Sequence, residues 1–179
     1  MRILITGSEG NVGRRLAGFF PDTIGIDIRP GADIRANLEF IDYEDRKVRR
    51  AFEISDALIH LASSADPGAA ADVHWQDVVN AGRLVSNCMK RGVRCLVVAS
   101  SDLTAPQDEH DLTAFSHAKR VVEIMAAMYD HEEGRRGRPV RIGWVPRDDQ
   151  ELKTAPEQLR RRYWSDKRLA AAFRRALGS

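Results

Sequence analysis

The chain has 179 residues, of which 43% are hydrophobic and 30% charged, with a net charge of +2. This describes one domain of ordinary soluble composition, long enough to bury a core. No apolar run approaches the roughly 20 residues that a membrane-spanning helix needs. Cys88 and Cys95 are the only cysteines. They lack metal-ligand spacing and read as a reduced, cytosolic pair, which argues against a secreted disulfide protein and a metal site.

Apolar runs and helical stretches alternate along the chain. Ile3-Leu4-Ile5 reads as a buried strand leading straight into a glycine loop, and not as a signal peptide. A helix is expected from Val12 to Phe20, a second strand over Thr23–Asp27 and a weaker third over Asp33–Leu38. Asp42–Phe52 has helical composition, and Ala57–Leu61 is apolar enough for a strand covered on both faces. Val78, Ala81, Val85 and Met89 predict a helix over Asp77–Arg91, stopped by Gly92. Cys95–Ala99 is a fifth strand, Leu112–Tyr129 a long helix, Gly134–Gly137 a loop and Val140–Ile142 a sixth strand. Thr154-Ala155-Pro156-Glu157 reads as a capping box that starts a helix. Ser165 caps a last helix ending at Leu177-Gly178. This alternation predicts an α/β fold: a Rossmann-like, doubly wound parallel sheet with helices on both faces. Residues 1–179 form a single domain in this reading, with 144–179 as a minimal C-terminal helical lobe on the substrate side.

Arginines crowd the last quarter of the chain, among them Arg135, Arg136, Arg138, Arg160, Arg161, Arg162, Arg174 and Arg175. They sit among apolar residues without a nucleic-acid-binding signature, so a solvated helix face is expected, with attraction of an anionic small molecule left open.

Gly7, Gly10 and Gly13 follow a strand and open a helix. In that context Gly7 allows the turn, Gly10 lets backbone approach a pyrophosphate, and Gly13 lets helix pack on strand. The phosphates then meet the helix N-terminus at Asn11 and Val12. Asp27, about 20 residues beyond Gly7, stands where a carboxylate accepts bonds from the adenosine ribose hydroxyls. Its charge favours NAD over NADP, although Arg29 is near enough to meet a 2′-phosphate.

Thr6-Gly7-Ser8-Glu9-Gly10-Asn11-Val12-Gly13 resembles the glycine loop of the extended short-chain dehydrogenase/reductases, the NAD-dependent epimerase/dehydratase family. Later segments follow in order: Asp27-Ile28-Arg29-Pro30 at the ribose and Asn37-Leu38 beside the adenine. Ile59-His60-Leu61-Ala62 matches the segment lining the cofactor, Asn80 the mid-helix asparagine, and Ala99-Ser100-Ser101 the fifth-strand serines. Arg141-Ile142-Gly143 and Tyr163-Trp164-Ser165 are similar to the uronate dehydrogenase-like branch, NAD enzymes that oxidise sugar acids. The resemblance implies NAD, a small polar or anionic, sugar-acid-like substrate, and a homodimer through Asp77–Arg91 and Leu112–Tyr129. Val121, Val122, Met125 and Met128 then face either a partner or the monomer's own sheet.

The resemblance also implies catalytic roles. Lys119 matches the lysine that binds nicotinamide ribose, and Ser101 the serine that orients the substrate oxygen. Phe115 stands where the acid-base tyrosine belongs, four residues before Lys119 and on the same helix face. Ser116, a poor acid unaided, His117, which points away from the Phe115/Lys119 face, Asp102 and His110 are the nearby groups to weigh as substitutes, each more simply a solvated polar residue, and Asp102 occupies the place of a substrate-binding asparagine. The Ser101–Phe115 stretch is short, and only Arg160, Arg161 or Arg162 loosely match the family's carboxylate-gripping arginine. Three readings follow: an atypical NAD-dependent oxidoreductase, a catalytically silent dinucleotide-binding protein, and a non-redox isomerase or cyclase.

Overall fold

Strand β1 (Ile3–Thr6) is buried at every position, as an unbroken Ile-Leu-Ile run requires when helices cover both faces of a sheet. A computed structural model describes residues 1–105 and 112–178. After β1 come α1 (Asn11–Ala17), β2 (Thr23–Asp27), β3 (Ile34–Arg35), α2 (Arg46–Glu53), β4 (Ala57–His60) and α3 (Ala71–Arg91). Then follow β5 (Cys95–Ser101), a short 3₁₀ turn (Asp102–Thr104), α4 (Ala114–Asp130), β6 (Arg136–Ile142), α5 (Asp149–Thr154), α6 (Glu157–Arg161) and α7 (Asp166–Leu177). The six strands form one sheet in the order β3-β2-β1-β4-β5-β6, with every pairing parallel.

Alternating side chains divide the core between the two faces. Leu4, Leu58, Leu96 and Val98 pack with α2, α3 and α4 through Phe52, Leu84, Cys88, Ala126 and Tyr129. Ile3, Ile5, Ile59 and Val97 pack with α1 and α7 through Leu16, Leu169, Phe173 and Leu177. The last helix is therefore a layer of the sheet's own packing, capped by Ser165 and closed by Gly178 in the left-handed conformation at φ 83°. Cys88 and Cys95 are buried and free. No helix among the described residues is long and apolar enough to cross a membrane.

Helix α1 ends at Ala17, short of Phe20, β3 holds only Ile34 and Arg35, α2 starts at Arg46, and three further expectations need correction. Helix α3 begins at Ala71, six residues before Asp77, on an Ala70 N-cap without a side-chain bond. No capping residue marks that start, and Val73 and Trp75 are exposed, which hides the helical period. Strand β6 begins at Arg136, so Arg136 and Gly137 are strand and not loop. As an edge strand it tolerates Pro139 and exposed arginines, which disguise it as a turn. Thr154 does not cap a following helix: it ends α5, and its Oγ1 donates to Gln150 O at 3.0 Å. The N-cap of α6 is Pro156, and Asp148, accepting from Glu151 N, caps α5.

His60 closes β4 fully buried, with Nδ1 2.8 Å from Thr6 Oγ1. Desolvation, helped by the Lys119 charge, pushes its pKa down to about 3 from 6.5. Between those values the unfolded chain binds the proton and the folded chain does not, so stability falls as pH drops from 6.5 towards 3. At about 1.4 kcal/mol per unit, the loss amounts to several kcal/mol. Urea unfolding across this range should show it, and His60→Gln should flatten the slope. An equal slope in that variant would assign the acid sensitivity to other groups.

Candidate functional site

The carboxyl ends of β1, β2, β4 and β5 meet one another where the strand order reverses between β1 and β4, the place at which open α/β sheets bind ligands. Gly7 leaves β1 with φ 75°, donating its N–H to Ile26 O at 2.8 Å. A Cβ there would lie 2.8 Å from Ala62 N, and one at Gly13 only 2.2 Å from Gly7 O. The loop, the start of α1 and the chain after β4 are thus as close as backbone permits. Gly10 differs: its added Cβ would meet only Gly7 O, at 3.1 Å, so its other side is open to an approaching group.

Asp27 ends β2 at 8% exposure and accepts from Glu9 N and Arg29 N, both at 2.9 Å. These bonds hold the glycine loop against β2 and leave carboxylate lone pairs for a diol. Arg29 donates to Glu9 O, and Ile28 stands exposed beside it. Asn11 reaches away from the loop, donating to Val145 O at 2.9 Å, while Val12 packs on the α1–α7 side of the core. Asn37 folds into its own turn, accepting from Glu39 N, and Leu38 is a core residue. Leu61 donates to Thr6 O, and Ala62 supports the turn at Gly7. Asn80 is buried and accepts from Gln76 Nε2 at 3.0 Å. An open backbone face at Gly10 beside a fixed carboxylate fits a dinucleotide.

At the other end Lys119 and Phe115 share one face of α4. Phe115 is buried, edge-on to His74 with ring centroids 5.5 Å apart, and Lys119 Nζ lies 5.5 Å from its ring centre. Lys119 donates to Ser63 Oγ at 2.6 Å. Burial lowers its pKa to about 8, opposed by the nearby Asp77 carboxylate. A narrow cavity lined by His60, Ser63, His74, Asp77, Phe115 and Lys119 lies here, with His74 Nε2 buried and unpartnered. Asp77 accepts from Ser64 N, and burial raises its pKa.

Ser101 ends β5 at 7% exposure, accepts from Leu103 N and donates to Asp102 Oδ1 at 3.3 Å. Asp102 in turn takes a two-pronged bond from Arg162, at 2.8 and 2.5 Å. Beneath them Glu123, one turn beyond Lys119, accepts from Ser100 Oγ at 2.5 Å and from Arg141 twice at 2.8 Å. Burial works against its charge, but the Arg141 and Ser100 bonds outweigh it and hold the carboxyl below its usual range. Glu123 therefore ties α4, which carries Lys119, to the strand that carries Ser101.

The described groups weighed as substitutes for the tyrosine have other places. Ser116 belongs to the Thr113 cap of α4, His117 is exposed, and Asp102 is engaged with Arg162. His110 lies outside the described residues. Ser63, His74, Asp77 and Glu123 are additions from the structure. The legible sign for two of them is spacing: His74, Asp77, Ala81, Leu84 and Cys88 follow a 3-4-3-4 pattern, which puts titratable groups on a buried helix face. Of the four apolar residues considered for a partner face, Val122 is in the core and Met125 packs against it, while Val121 and Met128 are exposed.

The model of a family described as "NAD dependent epimerase/dehydratase family" matches residues 3–145. No curated protein matches the sequence. Among solved structures, the chain is similar to a short-chain dehydrogenase/reductase superfamily protein from Agrobacterium tumefaciens with bound NAD. That match has 24% identity and a TM-score of 0.68, covering 86% of this chain and 52% of the other. It is also similar to a UDP-galactose 4-epimerase, at 23% identity and TM-score 0.67, covering 90% and 63%. A mutated uronate dehydrogenase matches at 23% identity and TM-score 0.63, covering 84% and 62%. The chain thus spans less than two thirds of the length of each.

Proposed function

The chain belongs to the NAD dependent epimerase/dehydratase family, and from that premise we propose that it holds NAD and acts on a small polar, sugar-like substrate. The observation that carries this reading is that the open Gly10 backbone after β1, the buried Asp27 carboxylate at the end of β2 and the Lys119 ammonium, bonded to Ser63 just past β4, all lie at the carboxyl ends of the strands. The open Gly10 backbone takes the pyrophosphate, with Gly7 and Gly13 shaping the loop and its packing on α1, Asp27 takes the adenosine ribose, and Lys119 the second ribose. NAD supplies a hydride acceptor or donor when bound. Ser101 orients the substrate oxygen, and Glu123 keeps Ser101 and Lys119 in register. Lys119, with its pKa near 8, is able to hold or release a proton around neutral pH.

One observation favours a second reading, a dinucleotide-binding protein that does not turn its cofactor over. Phe115 carries no proton, and its ring is packed against His74. Calorimetric titration with NAD and NADP tests what the two readings share. NAD should bind, and Lys119→Ala should weaken it about 10- to 100-fold, the worth of a charge-assisted hydrogen bond. A chain that binds neither dinucleotide sinks both readings. Reduction of bound NAD by any of a panel of neutral sugars and sugar acids separates them in favour of the enzyme.

We further propose that the chain pairs through α3 and α4. Val79 on α3 and Val121, Ile124 and Met128 on α4 are exposed, Ile124 at 59% and Met128 at 64%, and the spacing of the last three puts them on one side of α4. Light scattering should give twice the chain mass, and Ile124→Glu should return the monomer. A monomeric unaltered protein would refute the pairing.

A further inference from the structure

We propose that the Asp102–Arg162 pair is a specificity device that makes the substrate end of the site accept an uncharged polyhydroxyl compound and refuse a carboxylate. The inference rests on the proposed function in one respect, that Ser101 marks where substrate binds. Arg162 Nε and Nη2 meet Asp102 Oδ2 and Oδ1 at 2.8 and 2.5 Å. This is the fork-on-fork geometry by which an arginine grips a ligand's carboxylate. Here a carboxylate of the chain itself has taken that place, one residue after Ser101.

Both partners are held from behind. Asp102 opens a 3₁₀ turn in which Ser101 Oγ accepts from Leu103 N, Thr104 Oγ1 donates to Ser101 O, and Arg120 Nε donates to Thr104 O. The Arg162 carbonyl accepts from Trp144 N at 2.8 Å, and a Cβ on Gly143 would lie 2.3 Å from that oxygen. An incoming anion therefore cannot push either backbone aside. An anion that approaches the unused Nη1 and Nη2 hydrogens breaks neither bond, but it meets a guanidinium whose charge Asp102 already balances, and it sits beside the Asp102 charge, an arrangement that like-charge repulsion opposes.

A neutral diol meets a different surface. The Arg162 and Asp102 side chains remain 32% and 35% exposed. Their pairing leaves unused guanidinium N–H donors next to unused carboxylate lone pairs. Adjacent hydroxyls, each both donor and acceptor, match that alternation without disturbing the pair. Tyr163 follows Arg162 and pairs with Trp144, their rings edge to face at 6.5 Å.

D-glucuronate and D-glucuronamide differ only in a carboxylate against a neutral amide. Each is titrated into the full chain, with and without NAD, while the Arg162 side-chain Nε resonance is followed by NMR. The unaltered protein should bind the amide at least about tenfold more tightly. Asp102→Asn keeps the shape, removes the charge and frees Arg162, so glucuronate affinity should rise at least about tenfold, with a shift of the Arg162 signal. Equal binding of the two sugars by the unaltered protein, no gain in Asp102→Asn, or no Arg162 shift with either sugar overturns the proposal. If Asp102→Asn does not fold, discrimination by the unaltered protein decides alone. NAD affinity measured on the same samples keeps the two ideas apart. Failure to bind NAD sinks the proposed function, whereas lost discrimination with NAD bound sinks only this inference.

Discussion

Gly13→Ala is expected to cost about 3 kcal/mol of stability and to remove measurable NAD affinity. The added Cβ would lie 2.2 Å from Gly7 O and 2.7 Å from Ser8 O, both backbone atoms with no rotamer to yield. Gly7 cannot retreat. Its N–H is bonded to Ile26 O, its φ of 75° suits only glycine without strain, and Ala62 stands against its other side. The strain must therefore move α1 off β1, which separates Leu16 from Ile3 and Ile5. Gly10→Ala is the control. Its Cβ meets only Gly7 O, at 3.1 Å, so the fold should persist while the open face is blocked. Denaturant midpoints and NAD calorimetry on both variants check this. Unchanged stability in Gly13→Ala refutes the packing argument, and unchanged NAD affinity in Gly10→Ala refutes the placement of the pyrophosphate.

Phe115→Tyr is expected to raise the rate of NAD reduction by about 10²–10⁴-fold, the usual contribution of one positioned acid-base group. The ring is already held by His74 and by the Lys119 ammonium 5.5 Å from its centre, so a phenol there inherits a fixed orientation. The Lys119 charge would favour the phenolate and lower the phenol's pKa. The readout is reduced-nicotinamide absorbance with a panel of neutral sugars, together with its pH profile. A gain that follows a single ionisation assigns the proton transfer to the new hydroxyl. If NAD binds and no sugar in the panel gains, then the substrate end around Asp102 and Arg162 has diverged along with Phe115.

Much of the fold was legible because its signals are local. Ile3-Leu4-Ile5 and Ala57–His60 are apolar without interruption, as strands covered on both faces must be. Ser165 and Gly178 mark both ends of the last helix through short-range capping. The misread pieces are those where the signal lies in a neighbour. Gly137 and Pro139 pair with Leu96 and Val98, a register that depends on β5 and not on their own polarity. Thr154 and Glu157 have capping-box spacing, but α5 claims the threonine first.

The site divides in the same way. The nearness of the glycine loop to Asp27 was readable because turn, close approach and strand end recur at short spacing, and the shared helix face of Lys119 and Phe115 because four residues span one helical turn, while the roles given to them rest on the family resemblance. His74 facing Phe115, Glu123 binding Ser100 and Arg141, and Arg162 gripping Asp102 were not readable. Their partners are 41, 23, 18 and 60 residues away in sequence. The sequence by itself determined which backbone can turn, cap and approach closely, because those properties belong to single residues and their near neighbours. Only the tertiary structure decided which arginine meets which carboxylate, because charge pairing depends on distances that the crossovers of the sheet create.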